Sequence, residues 1–453
     1  MWGRGYSVPV QWEPVLLYIV GVVVVLVGIA LSIGLHELGH FIPAKRFGVR
    51  VGQFMIGFGP TLLSRKKGET EYGLKAIPLG GYISMAGMYP PVAPGGKART
   101  ASTGFFQTLV QDARTASADT VVAGEEHRTF YRLPIWKRVI IMLGGPFMNG
   151  VIAVVLYSIV LCGFGVAQQS TTIGSVSECV LPATSTKTEC GPTDAVAPGA
   201  EAGLKPGDTL VSIDGTAITS WTQATAMIRD SAGSTLSLVI EREGRQSTIA
   251  ATPRLTERYV LDDTGTPVTD ANGIDQTHDV GFLGITAALE TVQQPVTAVL
   301  PTVGENIVRV GQLILNLPQR MVDVVNAAFG PGERDPNGPI SVVGVGRVAG
   351  EIASINTIPI VERVAALLQI LASLNVALMV FNLVPLLPLD GGHIAGALWE
   401  GLRRRVAQVF KKRDPGPVDT AKLIPLTLTV VVLLGAMSAL LIYADIVKPI
   451  SVF

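Results

Sequence analysis

His36, Glu37 and His40 stand as H-E-x-x-H within Gly34-Leu35-His36-Glu37-Leu38-Gly39-His40. On a helix the two histidines fall one turn apart on one face, so two imidazole nitrogens can converge on a single zinc ion. Glu37 then lies beside the metal, placed to take a proton from water held there. Far along the chain, Asn382-Leu383-Val384-Pro385-Leu386-Leu387-Pro388-Leu389-Asp390-Gly391-Gly392-His393 closes an apolar run. A carboxylate is rare at such an apolar end, and Asp390 is the natural third ligand.

The elements that must carry these residues are apolar and long. Residues 15–31 hold no charge and lead straight into His36, which is enough chain to span a bilayer. The N-terminal stretch 1–13 has one Arg and no small-residue cleavage site follows the apolar run, so it reads as a retained span. Of 453 residues, 48% are hydrophobic and 15% charged, against roughly 25% charged in soluble proteins, which indicates a membrane protein with polar loops. The formal net charge is zero, so nothing argues for nucleic acid as a partner. Three cysteines are too few for a disulfide framework or cysteine zinc fingers.

Stretches near 15–35, 139–163, 364–387 and 423–443 are apolar enough to cross a membrane. Lys and Arg gather in 45–138 and in Arg403-Arg404-Arg405 with Lys411-Lys412-Arg413. Positive loops stay cytoplasmic, which places both termini outside and residues 165–360 on the extracytoplasmic side. The first span then runs inward, and His36 lies ~20 residues or ~30 Å along it, near the cytoplasmic boundary. The third span also runs inward, so Asp390 arrives at the same depth. Pro385 and Pro388 break that helix, and freed backbone is tolerated there only against a polar cavity. Glu69 and Glu71, in a Lys/Gly-rich turn, are the rival third ligands by analogy with soluble peptidases.

His36-Glu37-x-x-His40 with Asn382-x-x-Pro385-x-x-x-x-Asp390-Gly391 resembles the site-2 protease family of intramembrane zinc metalloproteases. Gly145-Pro146-Phe147-Met148-Asn149 matches that family's G-P-x-x-N element, and the resemblance covers nearly the whole chain. It implies zinc held by His36, His40 and Asp390, Glu37 as general base, and Asn382 orienting substrate or stabilising the oxyanion. For Asn149 two readings stand side by side, lining of the substrate path and helix packing.

Residues 72–87 read as short strands around the Gly80-Gly81 bend. The resemblance implies a β-loop dipping into the membrane. A membrane helix satisfies its own backbone, so an exposed strand edge is needed to hold an unwound substrate over the metal. Residues 88–129 are rich in Gly, Pro, Ala, Thr and Ser and read as a flexible linker. Beyond the second span, Ala202-Gly203-Leu204-Lys205-Pro206-Gly207-Asp208, a short strand and Asp214-Gly215 resemble the PDZ domains of bacterial envelope proteases. A helix over 220–228, a strand over 236–242 and a closing strand over 281–285 are expected there. Such domains add a peptide to a sheet edge, and a purely steric role fits equally. Cys179 and Cys190 flank a polar insertion on the oxidising side and are able to bridge. Residues 291–329 mix apolar spacing with charges, as helices along the membrane surface do.

The expected architecture is a polytopic α-helical membrane protein with four transmembrane helices, a membrane-associated β-hairpin and an inserted α+β PDZ-like domain. Its divisions are 1–47, first span; 48–135, cytoplasmic hairpin and linker; 136–164, second span; 165–290, PDZ-like domain. There follow 291–358, amphipathic juxtamembrane region; 359–393, third span; 394–420, basic cytoplasmic loop; and 421–453, fourth span. The expected function is a zinc endopeptidase of the plasma membrane. By resemblance its partners are single-span membrane proteins already trimmed outside, such as anti-sigma factors, in regulated intramembrane proteolysis. A metal transporter would spread polar positions along a pathway, and a non-catalytic scaffold with a PDZ-like domain would not need Glu37.

Overall fold

A computed structural model of the chain describes residues 12–90, 114–185, 187, 189–260, 268, 270, 275–332, 334–335 and 338–450. Helix α1 (Trp12–Arg46) is uncharged from Pro14 to Leu35 and apolar on every side. Strands β1 (Val51–Lys67) and β2 (Thr70–Met85) follow, then α2 (Ile135–Ser158), prolonged by a wider turn over Ile159–Phe164. Residues 165–294 form a compact unit of their own. It holds β3 (Val166–Val176), β4 (Thr209–Ile213), β5 (Thr216–Ala217), α3 (Trp221–Asp230), β6 (Leu236–Arg242), β7 (Arg245–Ala251), β8 (Arg254–Tyr259), β9 (Thr277–Phe282) and β10 (Ile285–Val292). The remaining helices are α4 (Val299–Leu315), α5 (Leu317–Phe329), α6 (Val342–Ser354), α7 (Ile360–Asn382), α8 (Asp390–Val409) and α9 (Ile424–Val447).

Among the described residues, four helices are long and apolar enough to cross a membrane: Trp12–Arg46, Ile135–Phe164, Ile360–Asn382 and Thr420–Val447. In lipid the hydrophobic effect does not draw helices together, so close packing depends on small residues. Gly39 and Gly144 supply it where α1 meets α2, because a Cβ on either would overlap the other's carbonyl oxygen. Asn375 ties α7 to α1 by donating to Ser32 Oγ at 2.9 Å.

Helix α6 lies within the stretch expected to be amphipathic surface chain, and it is buried instead. Its Gly344, Gly346, Ala349, Gly350 and Ala353 face inward, and a Cβ at Gly21 of α1 would press on Ala353 Cβ at 2.6 Å. Thirteen residues are too few to read as a span, and the small side chains hide its apolar face from any hydropathy count. Ser341 caps it, accepting from the backbone N–H of Val343 at 3.1 Å and Gly344 at 3.3 Å.

The hairpin is larger than the 72–87 expected. Residues 53–56 of β1 pair with 71–74 on one side and with 81–84 on the other, while 61–67 pair with 70–75. β1 escapes a strand reading because Gly52, Gly57, Gly59 and Pro60 interrupt its alternation. Residues 91–113 of the expected linker lie outside the described residues. Its last residues 126–129 are packed: Thr129 is buried, and the Arg50 N–H donates to the Arg128 carbonyl at 3.1 Å.

Two further boundaries differ from expectation. The third long helix stops at Asn382, and Asp390 opens the separate helix α8. The expected basic loop 394–420 is therefore helical to Val409. Prolines at 385 and 388 keep the chain between α7 and α8 out of the helix, and Gly391 and Gly392 pack on it so closely that a Cβ at either would meet its backbone.

In the 165–294 unit the strand order is β10-β3-β4-β6-β7 with β5 beside β4, every pairing antiparallel, and β8 and β9 make a second pair. Ile173, Leu210, Ile213, Leu238, Ile240 and Leu283 form the core. Ser220 caps α3, accepting from Gln223 N–H at 3.2 Å. The expected closing strand 281–285 instead straddles the link between β9 and β10, because Gly284 takes a left-handed φ of 79°. Cys179 and Cys190 are bridged, and Cys162 is free.

Candidate metal centre

The site begins with helix periodicity. His36 and His40 share one face of α1, and their Nε2 atoms stand 3.2 Å apart. Asp390 Oδ2 arrives 3.3 Å from His36 Nε2 and 3.2 Å from His40 Nε2. Both histidines are buried. Asp390 Oδ2 is buried and makes no hydrogen bond, a costly state for a carboxylate oxygen that nothing else satisfies. These three form the one group of potential metal ligands among the described residues.

Each imidazole is held by its other nitrogen. His40 Nδ1 donates to the Ile141 carbonyl at 2.7 Å. His36 Nδ1 lies 3.1 Å from the amide of Asn149, which is completely buried. Nδ1 and Nε2 of a neutral histidine share one proton, so if Nε2 is to accept a metal, Nδ1 carries it. The amide is then oriented with Oδ1 accepting from His36 Nδ1–H, which also satisfies the Asn149 oxygen that otherwise has no partner. Asn149 therefore does more than line a path or fill space between helices. The sequence sign for it was the G-P-x-x-N spacing alone, with nothing to connect it to His36.

Gly145, one helical turn before Asn149, forms the wall behind both rings. A Cβ there would lie 2.7 Å from His36 Nε2 and closer still to His40 Nε2. Glu37 is half-buried beside the histidines. Strand β2 closes on it at Gly81, where a Cβ would be 2.9 Å from Glu37 Cγ. Asn382 is the last residue of α7, and its amide donates to the Leu378 carbonyl at 3.0 Å.

The rival carboxylates are engaged elsewhere. Glu69 takes Lys45 Nζ and a two-pronged contact from Arg128, at 2.8 and 2.9 Å. Arg128 first and Lys45 second hold its carboxyl down to about 2. Glu71 accepts from Gln53 at 3.1 Å. Neither belongs to the group that contains the histidines.

With this geometry in hand, comparison with known proteins is specific. The family model for peptidase family M50 matches residues 24–413. The chain belongs to peptidase family M50. The zinc metalloprotease Rip1 of Mycobacterium tuberculosis is 33% identical over 459 residues, covering 97% of this chain and all of that one. Rip1 of Mycolicibacterium smegmatis is 32% identical over the same share. The metalloprotease MmpA of Caulobacter vibrioides is 28% identical, covering 86% of this chain and 88% of that one. This M50 chain is a multi-pass membrane metalloendopeptidase, and zinc is its cofactor. Its residues fit that metal: two imidazole nitrogens and one carboxylate oxygen, mutually within 4.8 Å and buried, are a donor set of the type zinc takes in catalytic sites.

Proposed function

We propose that the chain is an intramembrane endopeptidase in which His36, His40 and Asp390 hold the zinc and Glu37 is the general base. The observation that carries this reading is the meeting of three donors, within 3.3 Å of one another, on elements that include a helix long enough to cross a membrane. When bound, zinc supplies a Lewis acid that polarises a carbonyl and acidifies water.

Glu37, next in sequence to His36, accepts the proton of the attacking water and later returns it to the leaving amine. Asn149 and the Ile141 carbonyl hold the imidazole rings at Nδ1, so both Nε2 atoms stay turned toward Asp390. β2, in contact with Glu37 at Gly81, offers the edge on which an unwound substrate segment pairs in extended form. Asn382 has the assigned role of orienting substrate or receiving the oxyanion; for that its amide must turn from the Leu378 carbonyl. The substrates we infer are single-span membrane proteins already shortened on the outer side, anti-sigma factors among them. The unit at 165–294 is read as PDZ-like on its A-G-L-K-P-G-D segment and antiparallel sheet, and both termini as extracytoplasmic on the Lys/Arg distribution.

The test compares wild type with Glu37→Gln and Asp390→Ala in membranes. Membrane-fragment proteomics should show segments cut within spans only in wild type. Zinc content should be about one per chain in wild type and Glu37→Gln and be lost in Asp390→Ala. Zinc retained by Asp390→Ala but lost in Glu71→Ala would overturn the ligand assignment.

A further inference from the structure

Helix α8 carries a second pattern that the proteolytic site does not use. Leu398, Trp399, Leu402, Val406, Val409 and Phe410 are exposed, from 46% for Val406 to 77% for Val409. At about 100° per residue they share one arc of roughly 120°. Arg403 and Arg405 border that arc, one on each side.

The opposite face is fixed. Buried Glu400 takes Arg138 Nη2 at 2.7 Å, Arg404 at 3.0 Å and the Val418 N–H at 3.1 Å. Positions 396 and 401 pack against the first residues of two candidate spans. A Cβ at Gly401 would lie 3.2 Å from Ile135 Cδ1, and one at Gly396 3.1 Å from Thr420 Cγ2. The middle of α8 thus packs at the ends of two candidate spans, just ahead of their apolar stretches 139–163 and 423–443, at the level of the headgroups. Among the described residues no side chain covers its apolar arc at that level.

The charges beside the arc are of one sign. Arg405, Lys411, Lys412 and Arg413 are exposed and have no side-chain partner among the described residues. Among the described residues Arg403 reaches only the Pro415 carbonyl, at 3.4 Å. A groove of about 320 Å³ runs here, and its lining includes Trp399, Leu402 and Val406 together with Arg403, Lys412 and Arg413.

We propose that this face of α8, from Trp399 to Arg413, is a binding surface for the anionic phospholipid headgroups of the bilayer that the chain spans. Apolar side chains seated at the acyl boundary with cations beside them are the arrangement of a helix lying in the interface. The claim rests on the membrane-spanning reading of the chain and is independent of which residues hold zinc.

The test uses the full-length, zinc-loaded protein carrying Cys162→Ser, to remove the free thiol, and Val409→Cys labelled with an environment-sensitive fluorophore. It is placed in nanodiscs of phosphatidylcholine, with or without phosphatidylglycerol. Phosphatidylglycerol should shift the probe to the blue, and high salt should reverse this. Each cation facing an anionic surface contributes about fivefold to association, so K411Q/K412Q/R413Q should lower the ratio of buried to exposed probe about a hundredfold. Inorganic phosphate added to phosphatidylcholine discs should do nothing; a matching shift would identify a free-anion site and overturn the lipid assignment. A probe equally exposed in both lipids would also overturn it and point to a protein partner. Equal burial in both lipids, unchanged by the triple variant, would sink the headgroup claim as well. Zinc content and Glu37-dependent cleavage, measured on the same sample, report separately on the protease reading.

Discussion

Replacing Gly145 by Ala tests whether the wall behind the histidines sets the metal site. The added methyl would stand 2.7 Å from His36 Nε2, against ordinary contact at 3.4 Å and beyond, and nearer still to His40 Nε2. His36 must therefore retreat by at least 0.7 Å, and His40 by more, or α2 must move away from α1. The second route would pull apart the backbone contact of Gly144 with Gly39 at the preceding residue, the packing that holds α2 against α1. Zinc ligands tolerate about 0.2 Å from their proper distance, so the rings lose the metal position. Disturbing an outer-shell partner costs roughly 10–100-fold in affinity, and displacing the ligands themselves should cost more than 100-fold, about 2.7 kcal/mol or above. The assay is competition with a chelator of known zinc affinity, alongside thermal unfolding in detergent. Gly150→Ala is the control, since its methyl would meet only the flexible Met379 Sδ at 3.0 Å. Zinc affinity within threefold of wild type for Gly145→Ala would refute the packing argument.

Asn149→Ala should weaken zinc binding about 10–100-fold with little change in fold, and Asn149→Asp, which keeps the acceptor for Nδ1–H, should recover most of it; equal loss in both would show that Asn149 is only packing. Glu69 links the hairpin turn to Lys45 and Arg128. Its carboxyl is held near 2 in the folded chain against an ordinary 4.5, so the contribution is present above pH 4.5 and fades as pH falls toward 2. Protection factors of β1 and β2 against hydrogen exchange should fall across that window in wild type but stay flat in Glu69→Gln. In intact cells, an impermeant thiol reagent should modify Ser234→Cys and spare Lys67→Cys; the reverse result would invert the assigned orientation.

Short-range patterns in the chain determined much of this protein. The i, i+4 spacing of His36 and His40 needs only that residues 12–46 be helical, and an uncharged apolar run ensures that. Likewise 236–242 alternates and emerges as β6 at those limits, and Ser220 marks the start of α3. Asp390 stood out because a carboxylate beside an apolar run is costly without a use.

What the tertiary structure alone decided are the choices between residues distant in sequence. Glu69 and Asp390 are both carboxylates within reach of an M50 chain's core; Glu69 is withdrawn by Arg128, 59 positions away, while Asp390 is left facing two imidazoles. That Asn149 addresses His36, and that Gly145 backs both rings, depends on how α2 crosses α1, which the Gly39–Gly144 contact sets. Helix α6 was invisible because its buried face is built of Gly and Ala, whose value lies in what approaches them and not in their own hydropathy. The fourth long helix offered no chemistry to a reader of the sequence, yet Asp445 near its end is buried and paired with Arg334. Local propensity and composition act over a few residues and are written in order along the chain; pairing across a hundred or more positions is settled only when the helices pack.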